Sequence, residues 1–195
     1  MPKREGKYRG LRGAVALSHF FLRERVRPGD RVVDATCGNG HDTLFLAGLV
    51  GPAGKVWGFD IQDDALAATR VLLDEAGCLD RLELVAAGHE CLSDHVTEPV
   101  QAVVFNLGYL PGGDKTRITR PDNTLPALEQ AAQLLQPGGI IIVVLYSGHP
   151  GGAEECRAVD EWGAALSPEL FNVWRSCQPN CPPTAPYLIL VEKRG

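Results

Sequence analysis

The residues best placed to do chemistry begin with the run Val32 to Thr43, VVDATCGNGHDT. A short apolar stretch ends on Asp34, and a turn of the form D-x-x-x-G-x-G follows, with its glycines at Gly38 and Gly40. Glycine lets the backbone turn sharply and approach a ligand closely. The next apolar stretch, Lys55 to Phe59, ends on another acid, Asp60. An acid at the tip of the strand after such a turn accepts hydrogen bonds from both hydroxyls of a ribose. Together these residues describe a pocket for an adenosine-type cofactor, with Asp34, Gly38, Gly40 and Asp60 as first candidates. Counted from Gly38, G-x-G-x-x-G needs glycine at position 43, where Thr43 stands. The pyrophosphate-binding fingerprint of dinucleotide enzymes is therefore incomplete.

D-x-x-x-G-x-G resembles the first motif of class I methyltransferases, whose cofactor, S-adenosylmethionine, has no phosphate to cradle. On that reading Asn39 binds the methionine part of the cofactor, or else only tolerates a left-handed backbone. Gly88 and His89 follow the third apolar stretch, in the turn that lies beside the adenine in such folds. Gly88 permits close approach; His89 hydrogen-bonds or stacks, or else plays a structural part at a helix start.

The fourth apolar stretch ends on Asn106-Leu107-Gly108-Tyr109, where the transferred methyl is expected. Amino-group methyltransferases place [D/N/S]-P-P-[Y/F/W] there. The polar side chain and a backbone carbonyl accept hydrogen bonds from the target amine, and the aromatic residue stacks on the base. Asn106 and Tyr109 keep the end positions of that motif, with Leu-Gly between them. Lys115, Arg117 and Arg120 put three cations within six residues beside this loop. They suit RNA phosphates, or else form a solvated charge run. Tyr146 and His149, after the fifth stretch, are candidates for orienting the acceptor or taking its proton. Asn180, beside Pro182-Pro183, lies in a loop expected at the same end of the sheet. The six cysteines show no C-x-x-C. Cys177 and Cys181 are C-x-x-x-C without further ligands nearby, so no metal site is expected.

The elements that must position these residues alternate. Apolar periodicity predicts helices over 11–25, 42–49, 63–76, 90–96, 124–135 and 152–166. Short apolar runs predict strands over 31–35, 55–60, 82–86, 100–106, 140–146, 170–176 and 187–192. Pro137-Gly138-Gly139 reads as the stop of the fifth helix. Strands alternating with helices imply a parallel sheet covered on both faces. The last two strands lack a helix between them and read as a hairpin. The fold class expected is α/β: the class I S-adenosylmethionine-dependent methyltransferase (Rossmann-like) fold, a seven-stranded, mostly parallel sheet with a C-terminal β-hairpin.

A chain of 195 residues, 45% of them apolar, is sized for one domain with a full core. The expectation is a single methyltransferase domain over 1–195, opened by a basic segment and helix over 1–28. No apolar run is long enough to span a membrane, and nothing near Met1 reads as a signal peptide, so a cytoplasmic location is expected. The net charge of −5 is uneven: residues 1–31 carry nine Lys/Arg and three acids, a balance of +6 against −11 for the remainder. A basic arm on an acidic body permits local phosphate contacts through Arg4, Lys7, Arg9 and Arg12. A solvated tail is the other reading of the same charges.

Four strings carry a resemblance over nearly the whole chain: DATCGNGHDTLFLA (34–47), GFDIQ (58–62), NLGYLPGGDK (106–115) and YSGHPGG (146–152). They look like the MnmM family, whose older label is "putative rRNA methylase". The resemblance implies an S-adenosylmethionine-dependent tRNA methyltransferase. Its substrate would be the exocyclic amine of 5-aminomethyl-2-thiouridine at the anticodon wobble position, converted to 5-methylaminomethyl-2-thiouridine. By motif match it implies Asn39, Asp60, Gln62, Gly88 and His89 as cofactor contacts. Asn106, at the strand end, is a candidate contact to the cofactor as well as to the acceptor. The partner implied is tRNA, met at its anticodon stem-loop; a homodimer is permitted. The rival readings are a methyltransferase acting on an rRNA base or a small amine, and a non-catalytic S-adenosylmethionine-binding module. The absent third glycine disfavours an NAD-dependent dehydrogenase.

Overall fold

The computed structural model describes residues 13–108 and 118–195. Tyr109, Lys115, Arg117 and the basic residues before Gly13 lie outside the described residues. The elements run α1 (Gly13–Arg25), β1 (Arg31–Asp34), α2 (His41–Val50), β2 (Lys55–Phe59), α3 (Asp63–Glu75), β3 (Leu82–Val85), α4 (Leu92–His95), β4 (Val100–Asn106), α5 (Pro121–Leu134), β5 (Leu135–Leu145), α6 (Gly152–Ala165), β6 (Phe171–Ser176) and β7 (Tyr187–Lys193).

The strands form a seven-stranded sheet in the order β3-β2-β1-β4-β5-β7-β6. β1 to β5 are parallel; β7 runs antiparallel to both β5 and β6. The expected terminal hairpin is therefore present. Alternation along each strand divides the core into two layers. Val33, Phe59, Phe105 and Ile141 pack with Leu92, Leu128 and Val159 on one face. Val32, Val56, Val104 and Ile142 pack with Leu22, Leu46 and Leu73 on the other. A parallel sheet covered twice must be apolar on both sides, and Ile140 to Leu145 are accordingly all buried.

Two boundaries depart from the sequence expectation by three residues or more. Helix α5 starts at Pro121, three residues before the predicted start, because the fixed φ of proline suits a first helical position. Strand β5 begins at Leu135 and runs through Pro137-Gly138-Gly139, which the sequence marks as a stop. Its pairing jumps from Val100↔Leu135 to Ala102↔Ile140, so the extra residues bulge out of the ladder. Proline needs no partner where the ladder is already interrupted.

Several basic residues of the first thirty-one serve the fold. Arg25 pairs with Glu192 at 2.5 Å, and Arg31 pairs with Glu98. Arg27 donates to the carbonyls of Arg23 and Glu24 at the end of α1. No helix among the described residues is long and apolar enough to cross a membrane.

The chain steps outward from β1 to β2 and β3, then returns to place β4 on the other side of β1. Loops therefore diverge above β1 and β4. In open α/β sheets the crevice outside the carboxyl ends of the strands at this reversal takes the ligand.

Candidate active site

A cavity of about 890 Å³ opens at that reversal. Its lining includes Gly38, Asn39, Asp60, Gln62, Gly88, His89, Asn106, Arg120, Tyr146 and His149, all singled out from the sequence. Asn180, expected to wall the site from the hairpin loop, is not among the lining residues.

One end of the cavity is built by the glycine turn and Asp60. Gly38 has φ +50°, and its N–H donates to Asp60 Oδ2 at 3.0 Å. The Gln62 N–H donates to Asp60 Oδ1 at 2.9 Å. Two backbone donors thus fix the plane of this carboxylate, while each oxygen keeps a further lone pair for a ligand hydroxyl. The hydroxyl of Thr69, on α3, supports the turn by donating to the Gly38 carbonyl at 2.8 Å.

Asp34 and Gly40, expected to touch the cofactor, stand behind this turn and do not line the cavity. Asp34 is fully buried. Its carboxylate accepts from the Thr43 hydroxyl at 2.6 Å and the Thr36 N–H at 3.2 Å. Burial, and secondarily the charge of Asp42, pushes its pKa up to about 7. Gly40 has φ +83°, and a Cβ there would lie 2.9 Å from the Thr69 Cα. Both residues shape the turn from the inside. Cys37 beside them is buried, and burial raises its thiol pKa, so it is a packing residue rather than a nucleophile.

His89 closes the same end. It is buried, edge-on to Phe105 with ring centroids 5.7 Å apart. Its backbone partner is Ala35, and burial lowers its pKa, so the ring is neutral. Its Nε2 is buried and has no hydrogen-bond partner among the described residues. An orphaned ring nitrogen beside a preset carboxylate fits the polar edge and hydroxyls of a nucleoside, and S-adenosylmethionine supplies both.

The other end of the cavity is organised around Asn106. Its N–H donates to the Thr36 hydroxyl at 2.8 Å, and its Nδ2 lies 3.3 Å from Asp42 Oδ2. An ionised carboxylate only accepts, so the Asn106 NH₂ must face Asp42. Its carbonyl oxygen is then the side chain's remaining acceptor. Asp42 also holds His19 Nε2 at 2.7 Å through Oδ1. Neither Asp42 nor His19 was among the residues selected from the sequence. Asp42 lies within the glycine-turn run, but His19 sits in a helix whose apolar periodicity hides it.

Tyr146 lines this end, where burial and then the Asp42 charge raise its phenol pKa. It keeps its proton at neutral pH, so its hydroxyl is a hydrogen-bond donor to the cavity. His149 Nδ1 lies 3.0 Å from the Pro150 carbonyl.

The base of the loop after β4 is clamped. The Gly108 N–H donates to Thr119 Oγ1 at 2.9 Å, and the Thr119 N–H donates to the Gly108 carbonyl at 3.0 Å. Buried Glu155 accepts from the hydroxyls of Thr119 and Thr124, both at 2.7 Å. A carboxylate from α6 thereby fixes where the chain leaves the cavity after Asn106.

The family model described as "Putative rRNA methylase" matches residues 56–192. The chain is 41% identical over 197 residues to a chloroplastic tRNA (mnm(5)s(2)U34)-methyltransferase of Arabidopsis thaliana, covering 95% of this chain and 71% of that protein. A crystal structure described as a putative rRNA-methylase from Clostridium thermocellum superposes with TM-score 0.92 at 44% identity, covering 94% of this chain and 99% of that one. A putative methyltransferase from Streptococcus mutans, in complex with SAH, gives TM-score 0.85 at 35% identity, covering 94% and 99% of the two chains. With its class I methyltransferase sheet and this extent of similarity, the chain belongs to the "Putative rRNA methylase" family.

Proposed function

We propose that this protein is an S-adenosylmethionine-dependent tRNA methyltransferase. It methylates the exocyclic amine of 5-aminomethyl-2-thiouridine at the wobble position, and it meets tRNA at the anticodon stem-loop. The observation that carries this reading is the pairing of a nucleoside-shaped end, Asp60 and His89, with an acceptor end at the tip of β4. There Asp42 takes the Asn106 amide N–H, which leaves the carbonyl oxygen as that side chain's acceptor. The 41% identical Arabidopsis protein, named for that modification, supports the choice of substrate.

S-adenosylmethionine, when bound, supplies a methyl group made electrophilic by a sulfonium. Asp60 is assigned to its ribose hydroxyls, His89 Nε2 and Gly88 to its adenine end, and Gly38, Asn39 and Gln62 to the remaining cofactor contacts. Asp42, Asp60 and Glu90 line the cavity against one permanently charged cation, Arg120, among the described lining residues. That imbalance favours a positively charged ligand. Asn106 and the Leu107 carbonyl hold the acceptor amine, with Tyr146 beside them. Tyr109 is assigned to stacking on the base, and Lys115, Arg117 and Arg120 to phosphates.

Removing the ribose acid tests the donor end. Asp60→Ala is expected to weaken S-adenosylhomocysteine binding by about 1.5–3 kcal/mol, the range for a hydrogen bond to a charged group, as read by calorimetry. NAD is expected not to compete. Binding of NAD in place of S-adenosylhomocysteine would refute the cofactor assignment. The RNA end is read by salt. Affinity for an anticodon stem-loop is expected to fall with ionic strength, and Arg120→Ala to reduce the log–log slope by about one phosphate contact. An unchanged slope removes Arg120 from the RNA surface. The whole assignment is decided by mass spectrometry of nucleosides from total tRNA: 5-methylaminomethyl-2-thiouridine disappears without the gene, and its precursor accumulates.

A further inference from the structure

We propose that Asp42, clamped by His19, is the specificity residue for the acceptor: its carboxylate and the Asn106 carbonyl form a paired acceptor site that selects an amine. The inference rests on the tRNA reading above and names the group that recognises its reacting nitrogen.

Asp42 stands in the first turn of α2, where an acid ordinarily serves the helix's free N–H groups. Here its two oxygens are both engaged by side chains from other elements, His19 on α1 and Asn106 at the end of β4. The cap of α2 is Gly40, without any side-chain cap bond. Asp42 is mostly buried, with 15% side-chain exposure, yet it lines the cavity. Its charge also raises the pKa values of Asp34 and Tyr146, so its field reaches both the glycine turn and the acceptor end.

His19 cannot turn away freely. Its ring stacks on Phe45 with centroids 3.8 Å apart and planes within 6°, and Arg23 lies 4.9 Å from the centre of the same Phe45 ring. The imidazole therefore holds Asp42 Oδ1 in place and leaves Oδ2 on the side of Asn106.

Donor counting gives the ligand class. A carboxylate and an amide carbonyl are both acceptors, and together they ask for a group with at least two N–H bonds. A primary amine meets that need in its neutral and its cationic form, and the third N–H of the cationic form suits the Leu107 carbonyl. A hydroxyl, with one O–H, leaves one acceptor unpaired, and a methyl group leaves both. An amine bound as the cation first gives one proton to water; as the nitrogen lone pair then becomes the new N–C bond, the S–C bonding pair stays on sulfur and the positive charge passes to nitrogen. The nitrogen afterwards releases one proton to water. A carboxylate beside that nitrogen meets the charge where it develops.

The test is equilibrium binding to the S-adenosylhomocysteine-loaded protein, which carries no transferable methyl. Two anticodon stem-loops are compared, one with 5-aminomethyluridine at the wobble position and one with 5-methyluridine. The parent is expected to favour the aminomethyl form by about tenfold or more, as a charge-assisted hydrogen bond allows. Asp42→Asn, nearly the same shape without the charge, should reduce the preference to about twofold while S-adenosylhomocysteine binding stays within about threefold. His19→Gln should narrow it part of the way. Equal binding of both stem-loops by the parent, or a preference intact in folded Asp42→Asn, overturns the proposal. So does a large loss of S-adenosylhomocysteine affinity with the preference kept, which would assign Asp42 to the donor. If the parent binds neither stem-loop, the tRNA reading fails instead. The free nucleosides 5-aminomethyluridine and 5-methyluridine then decide the amine preference in the same assay, by the same criteria.

Discussion

Asn106→Ala is expected to lower kcat about a hundredfold or more and to leave S-adenosylhomocysteine affinity within about twofold of the parent. The reason is the division of the cavity. The donor end is fixed by Asp60, Gly38 and Gln62 through backbone hydrogen bonds that do not involve the Asn106 side chain. The acceptor end relies on that side chain, whose amide is oriented by Asp42. Alkylation of an amine needs its lone pair aimed in line at the electrophilic carbon, so the enzyme contributes mainly position. A misplacement of about 1 Å is enough to cost about a hundredfold in rate. The loss should fall on kcat more than on the cofactor, because the interaction acts on the acceptor. Single-turnover rates and calorimetry on the same preparation check both halves. A near-normal kcat with cofactor binding intact would move the acceptor site toward Tyr146 and His149.

The second large effect is on stability, and it comes from Asp34. Its pKa rises from 3.8 to about 7 in the folded protein because burial disfavours the charged form. A raised carboxylate pKa means that the native state holds a proton the unfolded chain has already lost. Below about 4 both states are protonated and Asp34 contributes nothing to the pH dependence. Between those two pKa values stability falls as pH rises, and the loss, on the order of a few kcal/mol, is complete above the folded pKa. Denaturant unfolding of the parent and of Asp34→Asn, compared from pH 5 to pH 8, reads this directly. The parent is expected to lose stability across that range relative to the variant, whose amide cannot ionise. Parallel pH profiles would show that Asp34 ionises as freely in the folded protein as in the unfolded chain. A cationic ligand in the neighbouring cavity eases the ionised form, so the difference should shrink when S-adenosylmethionine is bound.

Much of this architecture follows from local sequence. Val32–Val33, Val103–Val104 and Ile140 to Leu145 are apolar on consecutive positions, as strands covered on both faces are. Gly38 and Gly40 need positive φ, which marks the sharp turn without reference to anything distant. Asp60 and Asn106 stand at strand ends, and a parallel sheet brings its strand ends to one edge. That is why the cavity lining was largely legible residue by residue. The β5 boundary was not, because Pro137-Gly138-Gly139 reads as a break unless the neighbouring strand tolerates a bulge.

Two acids at strand ends, Asp34 and Asp60, carry the same local signal, and only the folded chain separates them. Thr43 on α2 and the backbone of the turn draw Asp34 inward, whereas Gly38 and Gln62 hold Asp60 against the cavity. The His19–Asp42–Asn106 constellation is the larger case. Its members lie 23 and 64 residues apart, on α1, α2 and β4. Local sequence sets the sheet, the glycine turn and the carboxylate and amide at its edge, because these depend on periodicity and φ. Which polar side chains point at one another is set by how α1 and α2 pack over the sheet, because hydrogen-bond partners are met across elements that no local pattern relates.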